Sequence, residues 1–476
     1  MPRRLLPTPS LPIRLGGVSL LVLTLTGCVS FSKDGGMAPV RAEVASAIGA
    51  QAAKVATPAD SAIVADRAKA NLAKPLTADT AVQVALFNNR GLQADYNALG
   101  ISEADVVEAS LPPNPVISVN GVLTEGAFSM ERRLAGSVLD LLTLPARKKI
   151  GENLFEAARY RAIEATFRLA ADTRKAYYKA VAARQRVRFL EQARLSAQAA
   201  ADLTRKLGET GAATKLDQAR ASVFYAETSN QLAAERLEAG LAFESLTRQL
   251  GAWGADTAYK IPSRLPTLPK KLQTTDQAEV EAIQKRVDLI AARLELDALA
   301  RSLKLANATR YVSVFDLAGL ANFERTKVGG VVEKAHPRGG VLDLQLEIPI
   351  FDFGETSRRR NVEIYMRAVN QFSMQAVNIR SQARSALLAY RAANDIARQY
   401  RNNVIPMRKA ISDETQLRYN GMLIDVFELL TTAREGIESN LASIDAQRDV
   451  FIASVDFQSA ILGGGAVETA SVASRD

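Results

Sequence analysis

The 476-residue chain contains one cysteine, Cys28, and one histidine, His336. That count rules out a disulfide framework and a Cys/His zinc site within a single chain. His336 stands alone in the polar run Glu333-Lys334-Ala335-His336-Pro337, where a surface-loop histidine is the expected role. Acids, serines and tyrosines are present, but no phosphate loop, nucleophile elbow or zinc-binding helix accompanies them. The residues therefore predict no enzyme, no cofactor and no bound metal. What remains is one thiol near the start and charges concentrated at particular turns. Lys+Arg is 60 against Asp+Glu 51, a formal +9, too small an excess on so long a chain to argue for nucleic acid.

The thiol closes a processing segment. Residues 1–27 carry Arg3, Arg4 and Arg14, the apolar run Leu15 to Leu25, then Thr26 and Gly27. The apolar stretch is too short for a membrane span and its flanks suit a secretory signal. Leu25-Thr26-Gly27-Cys28 resembles the lipobox of bacterial lipoproteins, which implies that Cys28 becomes the first residue, carrying acyl chains such as palmitate. Val29, in place of Asp, implies sorting to the outer membrane. An ordinary buried cysteine is the alternative. Residues 28–75, with Gly35-Gly36, many alanines and no strong period, read as a lipid-anchored tether.

Beyond residue 75 no apolar run is long enough for a transmembrane helix. Very long helices are present instead. Glu152 to Leu207 and Glu355 to Ile405 contain neither Gly nor Pro, and at helical rise each would be roughly 75 to 85 Å long. Such lengths indicate a bundle or coiled coil. Ala157, Ala158, Ala162, Ala165, Ala176, Ala180 and Ala183 supply small contacts through which neighbouring helices approach closely. Each long helix ends near glycine, at Gly208 to Gly211 and at Asn420-Gly421, and then returns as another helix. Each half is thus a long antiparallel hairpin, and a duplication with a period near 210 residues is the simplest account. The expected organisation is a first repeat over 76–265, a second over 266–463 and a tail over 464–476.

Four short runs alternate like strands. In Val341 to Ile348, Leu342, Leu344, Leu346 and Ile348 face one way and Asp343, Gln345 and Glu347 the other. Val116 to Leu123, Leu134 to Leu142 and Tyr311 to Leu320 are weaker versions, giving one hairpin per repeat. Four strands cannot close a barrel, and open edges are not tolerated in lipid. Either several chains share one barrel, or the hairpins form a small soluble β-subdomain capping the bundle. Basic clusters follow the hairpins, Arg147-Lys148-Lys149 and Arg358-Arg359-Arg360. Both are expected to open a long helix, where the macrodipole favours acids. Snorkelling to headgroups at a membrane boundary would explain them; a solvated basic turn is the alternative.

Leu76-Thr77 to Leu86, Asn88-Asn89-Arg90-Gly91-Leu92, Leu111-Pro112-Pro113-Asn114-Pro115 and Ile348-Pro349-Ile350-Phe351-Asp352-Phe353-Gly354 occur in an order similar to TolC-like outer-membrane efflux proteins. The resemblance spans roughly residues 76–463. It implies a mainly α chain with a small β part, assembled as a homotrimer whose helices form an α-barrel and whose strands, four per chain, form one 12-stranded membrane barrel. It also implies a passive duct from periplasm to exterior, docked by a periplasmic adaptor (membrane fusion) protein and opened by an inner-membrane transporter. By position, Gly208, Gly211, Thr214, Asp217, Gly421, Met422, Leu423 and Ile424 would form the docking tip. Helix capping is a compatible role for the glycines. Asp217 and Asp425 are candidate gate carboxylates with Arg205 and Arg418 as partners, unless these acids are simply solvated. The rival class is a lipid-anchored periplasmic scaffold or adaptor without a pore.

Overall fold

A computed structural model describes residues 30–124, 127–272, 277–328, 331–335 and 341–465. The signal segment, Cys28, His336 and all but the first two residues of the 464–476 tail lie outside the described residues.

The described residues open with two helices, α1 (Met37–Ile48) and α2 (Pro58–Leu72). Residues 30–75 are therefore folded rather than a bare tether. Met37, Val40 and Val44 form a buried stripe on α1 that joins Tyr96, Ile163 and Phe167 in one apolar cluster. Thr57 and Asp60 form a capping box around Pro58 at the start of α2. The Thr57 hydroxyl and backbone amide hold the Asp60 carboxyl below its ordinary value. Alanines around the α1 stripe blur its period, whereas the Thr-Pro-x-Asp start of α2 is legible in sequence.

Two copies of one plan follow. The first runs α3 (Ala78–Asn88), α4 (Arg90–Ser110), β1 (Val116–Thr124), β2 (Ala127–Ser137), α5 (Val138–Glu209) and α6 (Lys215–Leu250). The second runs α7 (Ala278–Lys285), α8 (Val287–Ala308), β3 (Val314–Val328), β4 (Val331–Ala335), β5 (Val341–Glu347), α9 (Glu355–Gln399), α10 (Ile405–Asn420) and α11 (Val426–Leu462). The duplication reaches individual dihedrals. Asn89 breaks α3 from α4 at φ −69, ψ 115, and Arg286 breaks α7 from α8 at φ −71, ψ 114. Arg286 is buried, and its guanidinium donates to Asp288 at 3.0 Å and to Gln382 of α9 at 2.7 Å.

Helix α5 has 72 residues, about 108 Å at helical rise, and packs along α4, α6, α8 and α11. Its buried side includes Ala157, Ala162, Ala170, Ala176 and Ala180, so small side chains set the helix spacing as expected. Tyr96 crosses from α4 to share a 2.9 Å hydrogen bond with Thr166, and burial pushes its hydroxyl pKa up to about 12. Arg186 ties α5 to two other helices, donating to Glu235 of α6 at 2.9 Å and to Asp445 of α11 at 2.5 Å. A π-helical turn over Tyr400–Val404 joins α9 to α10 without ending the helix. It lies directly before Pro406, whose missing N–H and ring bulk a regular helical turn does not accommodate.

The second strand and the helix after it differ from expectation. The sequence predicts a strand over Leu134 to Leu142 and a helix opened by the Arg147-Lys148-Lys149 cluster. The strand in fact ends at Ser137, whose side chain accepts from the Asp140 amide at 3.3 Å and caps α5. Ser137-Val138-Leu139-Asp140 is a cap signature, and the leucine-rich run behind it belongs to the helix. Arg147-Lys148-Lys149 consequently lies more than two turns inside α5, while Arg358-Arg359-Arg360 does occupy the first turns of α9. Strand β3 extends well past Leu320, and β4 occupies part of the segment read as a loop. Neither extension shows clean alternation in the sequence.

Candidate functional site

All strands form one antiparallel sheet in the order β1-β2-β3-β5, with β4 pairing the far end of β3. The β2–β3 pairing fuses the two expected hairpins. It leaves β1 and β5 as edges of the four-strand array.

The registers sort the side chains into two faces. Leu134 is opposite Ile117 on one side and Gly319 on the other, and Gly319 is opposite Leu342. Continuing in steps of two, this face carries Val119, Leu123, Phe128, Met130, Phe315, Leu317, Phe323, Leu344 and Leu346. Most of its aliphatic residues are exposed in the single chain, Leu342 by 74% and Leu123 by 83%. The other face carries Ser118, Asn120, Ser129, Glu131, Asp316, Asn322, Glu324, Asp343, Gln345 and Glu347. Arg133 bridges to Asp343 on it at 3.1 Å, over the buried Ala318. One face thus suits hydrocarbon and the other water.

Below the sheet lies the turn into α9. Asp352 accepts from the Gly354 amide at 2.9 Å and the Thr356 amide at 3.3 Å, and these bonds hold its carboxyl below the ordinary value. Phe353 and Gly354 both adopt positive φ, 49 and 70. A Cβ on Gly354 would come within 2.5 Å of the Arg310 carbonyl oxygen, so only glycine fits there. Glu355 takes bonds from Arg358 at 2.7 and 2.8 Å and Arg359 at 3.0 Å, which draw its pKa down to about 2. Arg310 approaches the same carboxylate at 3.4 Å. Arg358 and Arg359 are therefore partnered within the chain, and Lys149 pairs with Glu152. Arg147 donates to the Asp140 carbonyl at 3.1 Å, while Lys148 and Arg360 project to the surface. Phe351 is 99% exposed and Leu142 69%, so exposed apolar side chains continue below the sheet.

At the opposite end of the long helices lie the two returns. Gly211 takes φ 79, and Ala212 donates to Leu207 at 2.8 Å. A Cβ on Gly208 would overlap the Gln218 side chain, so this glycine lets the two arms close up. In the second return the left-handed residue is Met422, φ 57, with Leu423 donating to Arg418 at 2.9 Å. Gly421 keeps a negative φ, so a left-handed glycine occurs in the first return only. Thr214 and Asp425 are the N-caps of the returning helices. Asp217 therefore corresponds in place to Glu428, not to Asp425. Asp217 completes the Thr214 capping box, and Asp425 accepts from the Glu428 amide at 2.9 Å.

The expected Arg–Asp partners are not brought together within one chain. Arg205 pairs with Asp202 at 3.2 Å and Arg418 with Glu414 at 2.8 Å, while Asp217 has Arg220 at 3.9 Å. Met422 and Leu423 are 93% and 76% exposed, and Ile424 lies beside them in the same turn. Sequence reasoning missed Arg220, which stacks over Phe427 at 4.8 Å and links the two returns. Among the described residues no helix is long and apolar enough to cross a membrane, and no cluster of metal-binding side chains occurs.

The architecture is that of TolC-like outer-membrane channels. It is similar to the outer-membrane channel OprN, at TM-score 0.69 and 20% identity over 83% of this chain and 91% of that one. The outer membrane protein VceC of Vibrio cholerae gives 0.66 and 14%, over 85% and 97%. The CmeC outer membrane channel of Campylobacter jejuni gives 0.60 and 18%, over 84% and 86%. No family model and no curated protein matches the chain. The likeness is one of fold.

Proposed function

We propose that this protein is the outer-membrane channel of a tripartite efflux or export system. The observation that carries the reading is the four-strand array, apolar on one face and acidic on the other, with free edges at β1 and β5. Unpaired backbone groups at those edges would cost several kcal/mol each in lipid. Pairing β1 of one chain with β5 of the next removes them, and three chains give a closed barrel of about twelve strands, within the known even-numbered range. The apolar face then meets lipid and the acidic face lines water. The long helices continue the conduit into the periplasm, and flux through it is passive.

The remaining assignments extend this reading. Cys28 carries the lipid anchor. The Ser32 amide is held by Glu103 at 2.6 Å, near the sheet end of α4, and four extended residues reach about 13 Å, which suits an anchor in the adjacent leaflet. Lys148 and Arg360 meet headgroups at the barrel-to-helix junction. Gly208, Gly211, Thr214, Asp217 and Gly421 to Ile424 form the tip on which an adaptor docks, and an inner-membrane transporter supplies the energy. Asp217 and Asp425 act as gate carboxylates, with Arg205 and Arg418 reaching them across chains.

Paired cysteines test the barrel. Within one chain β1 and β5 are three strand spacings apart, about 14 Å, beyond the reach of a disulfide. Ser118→Cys or Asn120→Cys combined with Gln345→Cys should therefore give cross-linked trimers. Chains that remain uncross-linked in the membrane would refute a shared barrel.

A further inference from the structure

The registers place every acid of the described strands on one face, where Arg133 is already paired with Asp343. Every carboxylate of the described strands, Glu131, Asp316, Glu324, Glu333, Asp343 and Glu347, lies on the water-suited face. The apolar face has no acid, yet carries Arg132, Arg325 and Lys334. All three are exposed, and none makes an ion pair with a described residue within its own chain. Arg325 and Lys334 are direct cross-strand partners, a placement that repels unless an anion lies between them. Arg132, opposite Ala321, stands four residues from Arg325 along β3, about 13 Å away.

Height decides what these cations meet. On the barrel reading, on which this inference rests, Arg325 and its neighbour Phe128 stand nine residues beyond Ser137 along β2. At ordinary strand tilt that is about 23 Å above the helix junction. The apolar band starts lower, at Leu142 and Phe351, so a band about 25 Å tall ends below Arg325. Arg132 lies deeper, about 13 Å above the junction, and its side chain snorkels upward to the rim of the band, just below Arg325. We infer that Arg132, Arg325 and Lys334 form an outward-facing site for the phosphate groups of an anionic outer-leaflet lipid, engaged by charge-assisted bonds. Three such sites would ring the barrel and seat it at a fixed height.

The test is native mass spectrometry of the full-length protein extracted from phosphatidylcholine vesicles doped with bis-phosphorylated lipid A, with dephosphorylated lipid A as control. Each cation near a charged headgroup level is expected to contribute about fivefold in affinity, so Arg132→Gln, Arg325→Gln and Lys334→Gln together should lower lipid A retention about a hundredfold. The single Arg325→Gln variant should lower it about fivefold. Equal retention by wild type and triple variant, or of the two lipid forms, overturns the inference. Protease protection of the strands in the same vesicles is read in parallel. Its loss in wild type would refute the barrel itself, whereas its persistence with unchanged lipid retention refutes only the phosphate site.

Discussion

Leu342 and Gln345 lie on one strand and point to opposite faces, so one substitution made at each separates a membrane barrel from a soluble subdomain. Leu342 is level with Leu134 through Gly319, three residues above the start of α5, about 8 Å at ordinary tilt. With Leu142 and Phe351 exposed below it, it sits near mid-height of a band about 25 Å tall. Arginine on a lipid-facing strand at that depth costs about 2–4 kcal/mol, and three copies in a trimer bring about 6–12 kcal/mol. In water the same change at an exposed site would be worth about 0.5 kcal/mol or less. Gln345→Arg instead places a cation opposite Asp316 on the acidic face and should be neutral or mildly stabilising. The assay is the fraction of protein recovered as heat-resistant trimer after insertion into vesicles. It should collapse for Leu342→Arg and hold for Gln345→Arg. Equal recovery of the two variants would refute the assignment of faces.

Three further outcomes follow from local geometry. Arg186→Ala leaves the partly buried Glu235 without this partner, while Asp445 keeps Arg448 at 2.8 Å; partial exposure tempers the usual penalty, and a loss of about 1–2 kcal/mol per chain should appear as a lower thermal midpoint. Gly354→Ala forces an alanine into φ 70 and against the Arg310 carbonyl, so limited proteolysis should cut the sheet-to-helix turn faster, whereas Gly240→Ala, in open space, should not change it. Glu355 is held at about 2 against an ordinary 4.5. Its contribution is full above the ordinary value and lost as pH falls from about 4.5 through about 2. Resistance of the junction to cleavage by an acid-active protease should fall over that window in wild type but not in Glu355→Gln.

The elements legible in sequence were those with one dominant signal. Glycine- and proline-free runs marked α5 and α9, strict alternation marked β5, and the duplication showed through the spacing of the returns. The misses have physical causes. Four leucines after Ser137 gave the apolar density of a strand, but the cap from Ser137 to Asp140 commits them to helix. Pro406 gave no sign of the π-helical turn beside it, through which the helix runs on to Asn420. Alanine around Met37, Val40 and Val44 hid a helix whose contacts are tertiary. At the tips, the glycine of the second return gave no sign that Met422 takes the left-handed conformation that Gly211 takes in the first. The same-chain ion pairs were legible and overlooked, because Arg205 and Arg418 have carboxylates three and four residues back on their own helices, closer than the acids across the return.

Single-channel recording in a planar bilayer, on purified protein whose chain stoichiometry is fixed by cross-linking, tests the central claim most directly. The account predicts a trimer that conducts in discrete, cation-favouring steps, because the acidic face of the sheet lines the pore. A monomer, or any oligomer that inserts without conducting, would contradict it.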